Sequence, residues 1–91
     1  MSETLDHEDV ERRLPADWER DGDEIVRTYE FDDYPSSVTF VNDVADIAEE
    51  EFHHPEIVLR YDEVEVRFTT HDAGGITEKD LRLADHCDGE Y

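Results

Sequence analysis

Hydrophobic and polar positions follow two different periods along this chain, and the switches between them mark its elements. From Ser36 to Phe52, at about 100° per residue, Val38, Phe40, Val41, Val44, Ala45, Ile47, Ala48 and Phe52 fall within one half of a helical wheel, with Thr39, Asn42, Asp43, Asp46, Glu49 and Glu50 on the other. That pattern predicts an amphipathic helix, opened by Ser36 or Ser37, lying on a broad flat surface. A period of two takes over in Ile25–Phe31, where Ile25, Tyr29 and Phe31 share a face with Arg27 while Val26, Thr28 and Glu30 share the other. It reads as a strand, preceded by a turn at Asp21-Gly22. Ile57–Tyr61 and Val64–Thr70 read as two further strands joined at Asp62-Glu63, beyond the helix break at Pro55. Asp6 can cap a short helix that runs to about Leu14 and stops at Pro15, with Trp18 anchoring the segment to the core. After an Asp72–Gly75 loop, Thr77 can cap a last helix, with Asp80 three residues on and Leu81, Leu83 and Ala84 to bury. The predicted order is α-β-β-α-β-β-α: an antiparallel sheet with amphipathic helices on one face.

Length and charge add constraints. The 91 residues are read as one small domain, residues 1–91, with a modest core. Acidic residues number 28 against 8 basic ones, for a net charge of -20. Lys79 is the one lysine. Such a charge arises in disordered chains or in folded proteins of a high-salt cytoplasm, and the apolar periodicity favours the folded, halophilic case. The charge argues against nucleic acid, whose binders need a basic patch. No apolar run approaches the roughly 20 residues of a membrane span, and no signal peptide is read at the start. Cys87 stands alone, without an internal disulfide partner. A cytoplasmic location is expected.

The candidate chemistry is a cluster: His53-His54-Pro55, His71 and Asp80. Histidine gives and takes protons near neutral pH. With a two-residue turn at Asp62-Glu63, Tyr61 faces Val64, Leu59 faces Val66, and His54 faces His71 at the open end of the hairpin. Gly74-Gly75 lets the following loop fold over that end, bringing Asp80 within reach. Taken singly, the residues have plainer readings. His53-His54 can be a solvated helix exit, His71 a strand-end surface residue, Asp80 a capping residue and Glu49 a solvated helix flank. Their predicted convergence argues against plainness in all of them together. Three imidazoles and a carboxylate can also bind zinc, but adjacent histidines are awkward ligands and the HExxH spacing is absent, so no metal is expected. His7 and His86 lie outside the cluster and are expected at the surface.

On these residues the chain resembles the pterin-4a-carbinolamine dehydratases. The family's motif is an acidic or polar residue, three residues, His-His/Asn-Pro, five residues, an aromatic, nine residues, His, eight residues and Asp. Glu49, His53-His54-Pro55, Tyr61, His71 and Asp80 reproduce every spacing. Thr70-His71-Asp72, Gly74-Gly75-Ile76-Thr77 and Leu83-Ala84 are also similar to the family's downstream block. The likeness runs from about Leu5 to Asp88 and is strong from Val38 onward. It departs in the acidic composition and in Asp32-Asp33.

The resemblance implies an α+β fold with a four-stranded antiparallel sheet and three helices on one side, and a homodimer or homotetramer. It implies dehydration of 4a-hydroxytetrahydrobiopterin to the quinonoid dihydropterin, in tetrahydrobiopterin recycling. His53, His54, His71 and Asp80 would be catalytic, and Glu49, Pro55 and Tyr61 would support or bind the substrate. The chemistry calls for acid and base groups and no cofactor. Two other functions fit the same likeness: a non-enzymatic partner protein that stabilises another protein's dimer, and a dehydratase in another, molybdopterin-like pterin pathway. In molar salt the Debye length is about 3 Å, so self-repulsion of an acidic coat is largely screened. Structure is therefore expected to persist in molar potassium chloride and to diminish at millimolar ionic strength. Identical circular dichroism spectra under the two conditions would refute this.

Overall fold

The structure, a computed structural model, describes residues 3–91. Helix α1 (His7–Arg13) starts at Asp6, whose side chain accepts from the Asp9 N–H at 2.8 Å. Strands β1 (Glu19–Asp21) and β2 (Glu24–Glu30) form a tight hairpin. Asp21 pairs with Glu24, so the two turn residues are Gly22 and Asp23, one position later than the Asp21-Gly22 expectation. Gly22 takes φ 64° there, a conformation that suits glycine.

Helix α2 (Tyr34–Glu51) begins two residues before the predicted start. Asp33 is its cap and accepts from the Ser36 N–H at 2.8 Å, while Pro35 sits in the first turn, where its missing N–H costs nothing. Ser36, through its hydroxyl and then its backbone N–H, holds the Asp33 carboxyl below its ordinary range. Strands β3 (Glu56–Leu59) and β4 (Glu63–Phe68) follow, then a single 3₁₀ turn at His71–Ala73 and helix α3 (Glu78–Glu90).

The strands make one antiparallel sheet in the order β1-β2-β4-β3. Its inner face carries Ile25, Tyr29, Val64, Val66 and Phe68, all buried in one core with Val10 of α1, Phe40 and Val44 of α2, and Leu81, Leu83 and Cys87 of α3. The α+β architecture and the α-β-β-α-β-β-α order are as predicted. On the outer face Arg67 reaches Asp21 at 2.8 Å, Glu24 at 3.2 Å and Glu65 at 2.6 Å, an ion network across three strands. Among the described residues no helix is long and apolar enough to cross a membrane.

Two expectations are corrected. The β3–β4 register pairs Leu59 with Val64 and Ile57 with Val66, not Leu59 with Val66. The turn is Tyr61-Asp62, closed by Arg60 N–H donating to Glu63 C=O at 2.8 Å. Tertiary bonds select it: Phe31 N–H donates to Asp62 C=O at 2.8 Å, and Tyr61 stacks on Tyr34 with ring planes 10° apart. The slip is two positions in the pairing sum, so every inward side chain stays inward. Phe52, predicted on the buried helix face, is 83 % exposed. It lies beyond the helix end with φ 51°, and a left-handed residue leaves the wheel that the periodicity assumes.

Candidate functional site

The site forms where α2 ends. Phe52 N–H donates to Glu49 C=O at 3.3 Å and His53 N–H to Ala48 C=O at 3.0 Å. Together with the left-handed Phe52 this is a Schellman turn, at a position where glycine is usual. It reverses the chain and turns His53 toward the sheet, where its ring lies parallel to that of Phe68, 6° between planes and 6.1 Å between centroids. His53 is mostly buried, whereas the neighbouring His54 side chain is about half exposed.

The second segment arrives from β4. Thr70 bridges to Gly75, and between them the chain makes the 3₁₀ turn that carries His71. Gly74 closes that turn with φ 82°. His54 and His71 thus reach one cleft through this turn. Continued past Glu56, the observed hairpin register would set position 54 opposite 69, not 71. Phe52, His53, His54, Thr69, Thr70, His71 and Asp72 line a cavity of about 250 Å³. A second cavity of about 300 Å³ adjoins it across Thr69 and His71, lined also by Asp23, Glu24, Gly74 and Gly75. A larger hollow of about 610 Å³ at the α1–β1 corner, around Trp18 and Arg20, contains no histidine.

Carboxylates back two of the three imidazoles. Asp80, fully buried at the start of α3, lies 2.6 Å from His53 Nε2 through Oδ1. Its Oδ2 accepts from Thr77 N–H at 2.9 Å and from the Thr70 hydroxyl at 2.8 Å. The helix-cap role and the histidine contact therefore coexist, one on each oxygen. An ionised carboxylate only accepts, so His53 donates from Nε2 and Nδ1 is the nitrogen left free. Glu49 Oε2 lies 2.5 Å from His54 Nε2 at the exposed rim. The His71 side chain has no hydrogen-bond partner among the described residues, leaving both its nitrogens open to a ligand. Among those residues no group of three or more His, Cys, Asp or Glu side chains is arranged to hold a metal ion.

The structure thus brings together His53, His54, His71, Asp80 and Glu49. Pro55 follows the histidine pair as the chain enters β3. Tyr61 is elsewhere, 70 % exposed at the opposite end of the β3–β4 hairpin. His7 and His86 are exposed, as expected. Thr69, Thr70, Phe52 and Asp72 join the cavity without having been read as site residues. The signal for Thr70 was adjacency to His71, together with a hydroxyl seven positions before the cap Thr77.

Fold and cleft define a small α+β protein that sets imidazoles, two of them backed by carboxylates, around an open cavity. The profile of the family described as Pterin 4 alpha carbinolamine dehydratase matches residues 3–89, and the chain belongs to that family. A Halobacterium salinarum protein named "Putative pterin-4-alpha-carbinolamine dehydratase" is 56% identical over 88 residues, 97% of each chain. A like-named Natronomonas pharaonis protein is 54% identical over 97% of this chain and 96% of its own. Among solved structures, one titled transcriptional coactivator/pterin dehydratase from Brucella melitensis superposes with a TM-score of 0.85 at 28% identity, covering 94% of this chain and 96% of that one. Family membership supports a dehydratase.

The two-sided use of Asp80 generates a prediction. Asparagine offers one acceptor and one amide donor. With its oxygen held by Thr70 and Thr77, Asp80→Asn turns its amide toward His53 and should shift the imidazole to the Nδ1–H tautomer while α3 stays capped. Nitrogen-15 NMR of the histidine ring reads the tautomer, and an unchanged Nε2–H form would contradict the assignment.

Proposed function

We propose that this protein dehydrates 4a-hydroxytetrahydrobiopterin to the quinonoid dihydropterin, in recycling of tetrahydrobiopterin. The observation that carries the reading is the convergence of three histidines from two separate segments on one cavity, with carboxylates against two of them. The reaction breaks the C4a–O bond. One proton goes to the departing hydroxyl, which leaves as water, and one comes off N5. His53 and His71 stand on different chain segments and would serve as the acid and base on either side of the ring. His54 would bind and orient the pterin, with Glu49 behind it, and Asp80 would keep His53 in one tautomer. Positioned acid–base groups typically contribute about 10²–10⁴-fold in rate. The reading needs no metal or redox cofactor.

A pterin with a phosphorylated, molybdopterin-like side chain is the second candidate substrate. Among the described residues no lysine or arginine lines either cavity, while Asp23, Glu24 and Asp72 do. That lining favours an uncharged side chain. The partner-protein alternative gives the histidine cleft nothing to do.

We also propose a homodimer or homotetramer, at home in the cytoplasm. Strand β3 is a sheet edge, and Tyr34, Leu59 and Tyr61 expose apolar surface beside it. An edge of this kind invites pairing with another chain. Sedimentation velocity in molar salt should find no monomer at micromolar concentration, and a monomer alone would remove this part of the reading.

Stopped-flow dehydration of the carbinolamine in molar salt tests the activity. His53→Ala and His71→Ala should each slow the reaction at least about tenfold, a threshold set below the usual acid–base contribution of about 10²-fold or more, with the oligomer intact. Wild-type rates in both variants would sink the assignment.

A further inference from the structure

We propose that Thr70 is a positioning residue that ties the two histidine segments together and sets the aim of His53. The proposal rests on the dehydratase reading for its consequence in rate, but not for its geometry.

The Thr70 hydroxyl lies 2.8 Å from Asp80 Oδ2 and 2.9 Å from Thr77 Oγ1. A hydroxyl has one proton, and the carboxylate can only accept. Thr70 therefore donates to Asp80, and Thr77 must donate to Thr70. The result is a directed chain, Thr77 O–H to Thr70 O–H to Asp80, among groups that are buried or half-buried. With Thr77 N–H added, Oδ2 holds two donors. That fixes the carboxylate's rotation and leaves Oδ1 for His53 alone.

The backbone of the same residue fixes the other segment. Thr70 N–H donates to Gly75 C=O at 2.9 Å, and its carbonyl accepts from Ala73 at 3.1 Å, Gly74 at 3.0 Å and Gly75 at 3.3 Å. These bonds close the turn that presents His71. One residue thus holds His71 through its main chain and His53 through its side chain and Asp80. Thr70 borders the cavity, yet its proton is committed to Asp80, so it offers no donor to a ligand.

Loss of the hydroxyl leaves two buried polar atoms, Thr77 Oγ1 and Asp80 Oδ2, each short of a partner. The carboxylate is then free to turn toward the Thr77 side, and His53 loses its single orientation. Small misplacements of a reacting group can cost about 10²-fold in rate.

The test compares Thr70→Val, which keeps the shape and removes the hydroxyl, with Thr70→Ser, which keeps the hydroxyl. Thr70→Val should lower kcat about ten- to hundredfold with KM within about threefold, the pattern of lost positioning. In the ligand-free protein its His53 nitrogen-15 resonances should move from one Nε2–H tautomer to a mixture. Thr70→Ser should retain the tautomer and keep kcat within about threefold of wild type. A wild-type tautomer or a wild-type kcat in folded Thr70→Val overturns the proposal. So does a folded Thr70→Ser that falls as far as valine. If Thr70→Val does not fold, serine decides: retention supports the role and loss overturns it. If the wild-type protein fails to dehydrate the carbinolamine, the functional reading falls, while the His53 tautomer in the two variants still decides the role of Thr70.

Discussion

A carboxylate with no access to water organises this molecule. Taking Asp80 out of solvent is costly unless its oxygens are hydrogen-bonded, and here three donors from three parts of the chain meet that need: Thr70 from the end of β4, Thr77 from the start of α3 and His53 from the exit of α2. Thr77 caps locally, but His53 lies 27 residues before Asp80, so that bond forms only once sheet and helices have assembled. The group that stabilises the junction also backs one of the cleft's histidines.

The other end of α3 is fastened in the same manner. Asp88 accepts from Trp18 Nε1 at 3.0 Å, Arg27 at 2.9 Å and the Tyr29 hydroxyl at 2.6 Å. Burial, and then the bond to Asp88, push the Tyr29 phenol well above its ordinary range. Next to it the Cys87 thiol is pushed up to about 12, by burial first and Asp88 second, which keeps it protonated and unreactive at neutral pH. Helix α3 is thus held at its start by the site and at its end by the core, with little freedom to slide along its axis.

Much of this was legible in the chain because period and capping are local signals. Asp6 and Thr77 mark their helices directly, and the inward sets Ile25–Tyr29 and Val64–Phe68 follow from alternation. The clustering of His53, His54 and His71 was also legible, though the hairpin pairing offered for it was not the cause. The turn sits at Tyr61-Asp62 because Phe31 and Tyr34, distant in sequence, hold it there, and no local rule contains that. Phe52 escaped the helical wheel because a left-handed residue ends the periodicity on which the wheel depends. Thr70 escaped because a threonine at the end of a strand reads as β-propensity, and its value lies in a partner ten residues on. Tyr61 matched its motif position yet stands at the far end of the hairpin, so spacing in sequence did not translate into proximity to the cleft.

Phe52 has one more implication. A bulky aromatic in the left-handed region carries about 1–2 kcal/mol of steric cost that glycine would avoid. Glycine would also loosen the hinge from which His53 and His54 hang, and a productive site tolerates roughly 10–20° of misdirection. The chain keeps a strained joint where a relaxed one was available. The point at which its histidine pair leaves α2 is therefore fixed by the backbone, and Asp80 then orients the His53 ring.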